Sequence, residues 1–393
     1  MGSNDHDRPR RPATKAIHPL NRASRDFQSL ATPIYRGSTV LFDTLADVVD
    51  RRRNPDHYRY GLTGTPTARE LAIRIAKLEG AHRTFLVPGG LAAISATYLA
   101  VCKAGSHVLR PASAYPPNLA LSDGLFSRFG IEIEQYDPLI GAEIATLIRS
   151  NTALIWCESP GSITMEIQDV PAIAAAAKTR GVPVALDNTY AAGMLFDAFA
   201  AGVDISLQAL TKYVGGHSDL LLGSISAREP AMTRVIGTTL EQLGMGVSPD
   251  DCALALRGLA TLDLRLRALE QSTLEVAQWL KQRPEVKLVL HPAFPDCPGH
   301  DVWTRDFTGS ASLFSVIFRD WTAARVERFV DSLELFKIGF SWGGVASLVM
   351  AYPYLERPTP KNGPRLVRLN IGLEHPADLI ADLEQAMVAA ERA

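Results

Sequence analysis

Two polar residues that follow predicted strands carry the chemistry of this sequence. Lys212 follows an apolar run and Thr211, and it precedes a glycine-rich turn at residues 215–216. Upstream, residues 182–186 have the pattern of a buried strand, and Asp187 comes directly after it. Ligands of open α/β sheets bind beyond the carboxyl ends of the strands, so both side chains can face one ligand. An aldehyde cofactor with a basic ring nitrogen needs such a pair, because the amine forms a Schiff base and the carboxylate keeps the ring nitrogen protonated.

Each of these residues has a plainer explanation when it is taken alone. A single lysine is usually a surface residue, and an aspartate at a strand end is often a helix cap. A third feature is the pair Gly89-Gly90 between a predicted strand and a predicted helix. Backbone N–H groups at such a turn, together with the helix dipole, can bind a phosphate. Glycine pairs also serve tight turns, so this signal gains weight only beside Lys212 and Asp187.

The elements that position these residues alternate regularly between strand and helix. Predicted strands cover 84–87, 107–110, 131–136, 153–157 and 182–186. Predicted helices begin at Thr67, which forms a capping-box pattern with Glu70, and cover 90–103, 116–128, 142–150 and 171–178. Such alternation predicts an α/β fold with a mostly parallel sheet and helices on both faces.

The remaining chain has a different organisation at each end. Beyond Gly223 we predict a long helix at 256–280, strands at 286–290, 311–318, 347–351 and 366–371, and helices at 321–333 and 376–390. This mixture indicates a smaller C-terminal α+β domain. We therefore divide the chain into a disordered tail and N-terminal arm (1–60), a cofactor-binding α/β domain (61–255) and the α+β domain (256–393). The arm lacks a core of its own and is expected to pack on another surface, for which a second subunit is one candidate.

The amino-acid composition indicates which class of protein this is and which partners it is not expected to bind. The chain has 393 residues, of which 47% are hydrophobic and 21% charged, as in soluble globular proteins. A net charge of −2 gives no general attraction to nucleic acid or membranes. The four cysteines are far apart, which argues against a disulfide framework or a zinc site and fits a reducing compartment. No apolar run approaches the ~18 residues of a membrane span, and we expect no metal.

Six motifs in a fixed order resemble one known family. They are Glu158-Ser159-Pro160-Gly161-Ser162, the segments around Asp187 and Lys212, Arg305-Asp306-Phe307-Thr308-Gly309, Ser341-Trp342-Gly343-Gly344, and Arg368-Leu369-Asn370-Ile371-Gly372. On these residues the chain is identified as a member of the Cys/Met-metabolism family of pyridoxal-phosphate (PLP) enzymes, which has fold type I. It is most similar to the bacterial cystathionine β-lyases, from about residue 30 to residue 390. The resemblance implies PLP as the cofactor and a mostly parallel seven-stranded sheet.

The same resemblance assigns residues to the cofactor. Lys212 is implied to form the Schiff base with PLP and to act as the catalytic base, and Asp187 to pair with the ring nitrogen. Tyr115 is implied to stack on the ring and is also a candidate catalytic residue, although it can equally be a core tyrosine. The remaining cofactor contacts implied are the backbone amides of Gly90 and Leu91, the hydroxyl of Thr211, Ser162 near the ring hydroxyl, and Tyr60.

Substrate contacts and assembly are implied in the same way. Arg368 would hold the substrate carboxylate with bidentate geometry, helped by Ser341. Tyr60 matches a tyrosine that reaches the active site of the neighbouring subunit, so a homotetramer built from dimers is expected. A cytoplasmic enzyme of methionine biosynthesis, without a nucleic-acid or membrane partner, is also expected.

Three positions depart from the family pattern around the phosphate. Leu62 stands where relatives commonly have an arginine that contacts the neighbour's phosphate, and Arg59 is a candidate replacement or a plain surface residue. Ala209 stands where many relatives have serine. Gly89-Gly90-Leu91 replaces the commoner Ser-Gly-Met. These differences concern phosphate binding and leave the Schiff-base chemistry intact.

The reaction expected is β-elimination of L-cystathionine to L-homocysteine, pyruvate and ammonia, with cystine and cysteine as further possible substrates. Phe340 and Trp342, which flank Ser341, favour this reaction, since γ-acting relatives tend to have glutamate at the first position and to lack the tryptophan. A γ-lyase or a γ-synthase/sulfhydrylase-type transferase is the alternative within the family. A cofactor-binding regulator without turnover is a third alternative, which the presence of Lys212, Asp187 and Arg368 disfavours.

Overall fold

A computed structural model describes residues 29–53, 57–352 and 365–391, together with the single residues Arg11, Thr14, Ile17 and Leu355. Its α-helices are α1 (Leu45–Arg53), α2 (Pro66–Glu79), α3 (Gly90–Val101), α4 (Pro116–Leu121), α5 (Val170–Thr179), α6 (Pro230–Leu243), α7 (Pro249–Ala260), α8 (Leu262–Lys281), α9 (His300–Asp306), α10 (Ala323–Asp331) and α11 (Pro376–Glu391). Its strands are β1 (Arg83–Val87), β2 (His107–Pro111), β3 (Glu132–Tyr136), β4 (Thr152–Glu158), β5 (Val184–Asp187), β6 (Ile205–Ala209), β7 (Gly223–Ala227), β8 (Val286–Leu290), β9 (Leu313–Phe318), β10 (Lys337–Ile338), β11 (Leu348–Ala351) and β12 (Leu366–Asn370).

The larger sheet has seven strands in the order β1-β7-β6-β5-β4-β2-β3. Neighbours from β3 to β6 are parallel, and β7 is antiparallel to both β6 and β1. Its strands are largely buried because helices cover both faces, as the alternation of predicted elements requires. The predicted α/β fold with a mostly parallel seven-stranded sheet is confirmed. The carboxyl ends of β5 and β6 lie at the same edge, and this brings Asp187 close to Lys212.

The smaller sheet has the order β10-β11-β12-β9-β8 and presents one face to its own helices. Apolar side chains such as Phe314, Val367 and Leu369 pack there against α8, α10 and α11. Arg368 alternates with Val367 and Leu369 along β12, so its side chain leaves the opposite face, towards the larger sheet. On that face Ser315 donates a hydrogen bond to the carbonyl of Ile163 at 2.6 Å. The small domain is thereby fixed against the loop that follows β4.

Several predicted helices differ from those observed. The first begins at Pro66 rather than Thr67, and its cap is Thr65, whose hydroxyl accepts from the amide of Ala68. The helix predicted at 142–150 is a 3₁₀ turn at Gly141–Thr146. The helix predicted at 116–128 passes into a π-helical turn at Ser122–Phe126. The long helix predicted at 256–280 is two helices, α7 and α8, which meet at Thr261.

Other predictions bear on the ends of the chain and on the domain divisions. The proposed boundary after residue 255 falls within α7, and the division into domains stays a prediction. Most of the tail predicted to be disordered lies outside the described residues. All four cysteines are free thiols. Among the residues that the structure describes, no helix is both long and apolar enough to cross a bilayer.

Candidate active site

Lys212 lies in a tight turn directly beyond β6. The amide of Gly216 donates to the carbonyl of Lys212 at 2.7 Å, and the φ angle of Gly216 is 72°, a left-handed conformation that favours glycine. The Lys212 amine donates to the hydroxyl of Ser341 at 2.7 Å. Burial lowers the pKa of Lys212 to about 8, and the positive charge of Arg368 contributes to this, while Asp187 opposes it. Lys212 is therefore a lysine that can be neutral, and so nucleophilic and basic, near physiological pH.

Asp187 closes β5 and is held by the residue two positions further on. Both the amide and the hydroxyl of Thr189 donate to Oδ1 of Asp187, the amide at 3.1 Å. The same hydroxyl accepts from the amide of Ala209 at 2.9 Å and so connects the ends of β5 and β6. Burial raises the pKa of Asp187, whereas the hydrogen bonds from Thr189 and the charge of Lys212 lower it. A cationic group beside this carboxylate would keep it ionised.

The first turn of α3 begins at the edge of the sheet next to these residues. A Cβ atom on Gly90 would stand 2.8 Å from Cβ of Ala209, so only glycine lets the start of the helix lie directly on the end of β6. Leu91 is partly exposed at this point. Its backbone N–H group is among the first of the helix, which have no partner within α3 and can bind an anion. The Thr211 hydroxyl donates to the carbonyl of Leu222 at 3.2 Å and accepts from its amide.

Tyr115 and Ser162 come from loops that follow β2 and β4. Tyr115 precedes α4, and its amide donates to Oε2 of Glu158 at 2.7 Å. Burial raises the pKa of the Tyr115 phenol, and the charges of Asp187 and Glu158 add to this effect. Tyr115 therefore lies close enough to interact electrostatically with Asp187, the candidate partner of the cofactor's ring nitrogen. Glu158 was assigned no role from the sequence, although it ends β4 as Asp187 ends the neighbouring β5. Because ligands bind beyond the carboxyl ends of the strands, its position at a strand end could have identified it.

Arg368 reaches the site from the smaller sheet. Its Nη1 atom donates to the carbonyl of Ser162 at 3.2 Å, and its guanidinium lies 5.3 Å from the ring centre of Tyr352. Burial lowers the pKa of Arg368, with only 6% of the residue exposed. The remaining guanidinium N–H groups can form a planar pair of donors for a carboxylate.

Ser341 and Trp342 form one wall beside Lys212. Trp342 lies with its ring centre 5.1 Å from the Lys212 amine and 5.2 Å from the ring centre of Tyr213. Ser341 has a φ of 89°, which is rare for serine, and this places its hydroxyl against the amine. Phe340 is 76% exposed, so the chain itself does not pack it against the site.

Tyr60 is a second predicted site residue that the described chain does not place against the site. It lies 53% exposed beside a cavity of about 410 Å³ that Phe42, Leu62 and Glu241 also line. Arg59, the candidate replacement for the missing arginine, donates to Oε1 of Glu241 at 2.7 Å. Within the described parts of one chain, Arg59 is thus engaged by an acid on α6.

Comparison with known proteins agrees with this geometry. Residues 13–388 match the family described as Cys/Met metabolism PLP-dependent enzyme. The chain belongs to this family. A putative cystathionine beta-lyase of Saccharomyces cerevisiae is 46% identical over 79% of this chain and 91% of its own length. The cystathionine beta-lyase of Haemophilus influenzae is 38% identical over 95% of this chain and 96% of its own length.

A solved structure shows the same fold. The cystathionine gamma synthase of Xanthomonas oryzae pv. oryzae, in complex with aminoacrylate and cysteine, superposes with a TM-score of 0.91 at 29% identity and covers 98% of this chain and 100% of its own. The protein is a fold type I, PLP-dependent lyase of the Cys/Met metabolism family.

The residues present fit PLP by their chemistry. Lys212 has the lowered pKa that Schiff-base formation requires. Burial raises the pKa of the Asp187 carboxyl, and a protonated pyridine ring beside it would supply a positive charge that keeps it ionised. The start of α3 at Gly90 offers N–H groups to a phosphate. The Thr211 hydroxyl, a further candidate phosphate contact, would have to give up its hydrogen bond to the carbonyl of Leu222 to donate to the phosphate.

Proposed function

We propose that this enzyme catalyses the β-elimination of L-cystathionine, in which L-cystathionine and water give L-homocysteine, pyruvate and ammonia. The observation that supports this reaction is the contact of Lys212 with Ser341 and Trp342. The base that removes the α-proton is enclosed on this side by a hydroxyl and an aromatic ring. Neither group accepts a second proton at neutral pH, and β-elimination needs only one proton removed from carbon.

PLP, when bound, stabilises the negative charge that develops on the α-carbon. Lys212 is the group that holds the α-proton once it has left the substrate, and a pKa of about 8 suits this role at the pH of the cell. The bond between Cβ and sulfur then breaks, with its electron pair on sulfur, and a proton converts the thiolate to homocysteine. The remaining enamine is released and hydrolyses to pyruvate and ammonia.

Arg368 orients the substrate in this proposal. Its guanidinium is fixed by the carbonyl of Ser162 and faces the side of the site that holds Tyr115. A carboxylate bound there directs the α-hydrogen towards Lys212. Tyr115 would cover the ring of the bound cofactor, and Asp187 would pair with its nitrogen. Gly90, Leu91 and Thr211 would bind the phosphate, and Ser162 would lie near the ring hydroxyl.

The same proposal includes an assembly and a setting. Tyr60 would complete the site of a neighbouring subunit within a homotetramer of dimers, since it lies outside the site of its own chain. The reaction would serve methionine biosynthesis in the cytoplasm, and cystine or cysteine would be further substrates because both carry sulfur on Cβ.

A γ-elimination or γ-replacement is the alternative, and the close superposition with a gamma synthase favours it. Such chemistry requires removal of a second proton, from Cβ. Trp342 offers no group for this step, and exposed Phe340 stands where a glutamate would be expected in a γ-acting enzyme. We therefore place the γ reactions second.

Product analysis tests the proposal. The purified holoenzyme with L-cystathionine should yield homocysteine and pyruvate by mass spectrometry. Lys212→Ala should lose nearly all turnover, because it removes the base and the attachment point together. Lys281→Ala is the matched control, since Lys281 forms an exposed ion pair with Asp296 and should keep full activity. Cysteine and 2-oxobutyrate as main products would show that the enzyme is a γ-lyase.

A further inference from the structure

Four completely buried side chains with unused N–H or O–H groups lie where α3 and α4 pack on β2 and β4. They are Tyr98 of α3, Arg110 of β2, Asn118 of α4 and Trp156 of β4, and each is 0% exposed. We call these four residues the donor cluster. None of them has a role in the reaction proposed above. Their position between the sheet and α4 lies within the fold of one chain.

Arg110 is a buried cation with an incomplete set of partners. Its Nη1 atom donates to the carbonyl of Leu119 at 3.3 Å and to Oδ1 of Asp123 at 3.2 Å. Nε and Nη2 have no partner among the residues that the structure describes. The Asp123 side chain is 59% exposed, so water screens the one carboxylate that contacts this guanidinium. The inner side of Arg110 is therefore left without an acceptor.

The neighbours of Arg110 add further donors, and among the four described residues of the donor cluster the Tyr98 hydroxyl is the one unpartnered atom that could also accept. Asn118 uses its carbonyl groups, both main-chain and side-chain, to accept from the Ser122 hydroxyl at 2.6 and 3.1 Å. Its Nδ2 atom has no partner in the described chain, and neither has Nε1 of Trp156. Tyr98 stacks on Trp156 with ring centres 5.4 Å apart, and its hydroxyl lies beside Ser122 and Asn118 without a hydrogen bond of normal geometry.

The register of the sheet brings these groups together. Leu109 of β2 pairs with Ile155 of β4, so Arg110 and Trp156 are neighbours on the face that α3 and α4 cover. A π-helical turn, Ser122–Phe126, follows α4 at this place. Such turns are rare and occur frequently at functional sites. Here the turn carries both Ser122 and Asp123, which border the donor cluster.

The number of unpaired hydrogen-bond donors determines which ligand the donor cluster can bind. Arg110 Nε and Nη2, Asn118 Nδ2 and Trp156 Nε1 carry unpaired N–H groups, and none of these atoms accepts a hydrogen bond. A buried donor without a partner costs about 1–3 kcal/mol. A water molecule accepts through two lone pairs and must place its own two hydrogens, for which the cluster has no free acceptor besides the Tyr98 hydroxyl. A monatomic anion accepts from all directions and balances the charge of Arg110.

We propose that the donor cluster is a binding site for a small monovalent anion of the halide class. Its occupation would join β2, α4 and β4, and Tyr115 immediately precedes α4. The site is separate from the phosphate-binding start of α3 and does not depend on which reaction the enzyme catalyses.

Bromide is the probe for this site. Crystals of the holoenzyme grown in sodium bromide should show an anomalous peak in contact with Arg110 and Trp156. The thermal midpoint should be compared in bromide and in gluconate, an anion too large to enter, at equal ionic strength. We expect the bromide-dependent change for the wild type to exceed that for Arg110→Met by about 1–3 °C. Methionine at position 110 preserves the packing of the aliphatic part of the arginine side chain. Asp123 is exposed, so the loss of its contact with Arg110 should change the stability little.

Arg149→Met is the matched control, because Arg149 is exposed and pairs with Glu132 and Glu134 at the surface. It should keep both the peak and the wild-type response to bromide. If Arg110→Met does not fold, Tyr98→Phe removes one donor, preserves the ring stack and should require more bromide for the same response. Electron density at the site without an anomalous signal would overturn the proposal, and so would a crystal structure in which the Asp123 carboxylate accepts from Nε of Arg110. A bromide-dependent change in thermal midpoint that stays the same in Arg110→Met would also overturn it, because the anomalous peak would then reflect an adventitious ion only.

Discussion

At the scale of single residues, the lowered pKa of Lys212 is the property on which the chemistry depends. Burial is its main cause, and the charge of Arg368 adds to it. The amine must be neutral to attack an aldehyde, and a pKa of about 8 leaves about a tenth of it neutral at pH 7, far more than the ordinary value of 10.5 would. Arg368, which we propose to orient the substrate, thus also lowers the pKa of Lys212, the proposed base.

Replacing Arg368 by methionine should raise the pKa of Lys212, because a nearby positive charge no longer disfavours the ammonium form. Cofactor-free enzyme should then bind PLP more slowly at pH 7.5, and the midpoint of the rate against pH should move upward from about 8. The difference from wild type should vanish at a pH well above both midpoints. Borohydride trapping of the bound cofactor measures the rate. Arg149→Met should leave the midpoint in place, and an unchanged midpoint in Arg368→Met would remove Arg368 from the surroundings of Lys212.

Site residues could be predicted from the sequence where a local pattern identifies them. Lys212 and Asp187 follow recognisable strands, and the geometry of parallel strands brings them together. The bond between Lys212 and Ser341 joins residues 129 positions apart and was not predicted. The resemblance to the family implied Ser341 only as a residue that helps Arg368. Arg110 was not predicted, because a single arginine in a predicted strand carries no motif and its burial depends on α3 and α4.

At the scale of elements, the break between α7 and α8 supports the turn that holds Lys212. Periodicity predicted one helix across Thr261, since apolar residues continue at helical spacing on both sides. Arg265 explains the break: its Nη2 atom donates to the carbonyl of Gly258 at 2.7 Å and its Nε to the Thr261 hydroxyl at 3.1 Å. A side chain thereby satisfies the end of α7, which a sequence pattern cannot show.

Gly258 makes this junction testable. A Cβ atom there would stand 2.2 Å from the carbonyl oxygen of Val214 and 2.3 Å from that of Gly215, which follow Lys212 by two and three residues. Gly258→Ala should therefore displace α7 or the Lys212 turn, lower the free energy of unfolding by about 1–3 kcal/mol and weaken cofactor retention. Denaturant unfolding and visible absorbance measure the two effects. Gly124→Ala is the control, since its Cβ would meet nothing within 4 Å. Equal behaviour of both variants would mean that the junction does not support the turn.

At the scale of the whole molecule, the sequence predicted the architecture because alternating strands and helices admit few arrangements. The larger sheet supplies Lys212 and Asp187, and the smaller sheet supplies Arg368 through a strand whose other face is its own core. Tyr60 is the exception to this convergence. It lies next to α6, and no local pattern could say which chain's site it serves.

Mixing two inactive variants decides whether Tyr60 serves a neighbouring subunit. Lys212→Ala lacks the base, and Tyr60→Ala should be strongly impaired if the tyrosine contacts the cofactor of another chain. When equal amounts are unfolded and refolded together, half of the dimers should be hybrids, each with one site that contains both native residues. Activity should then recover to about one quarter of the wild-type value. Each variant refolded alone is the control and should stay inactive. If native mass spectrometry shows hybrids but activity does not return, Lys212 and Tyr60 do not share a site across two chains, and the exposed position of Tyr60 has another cause.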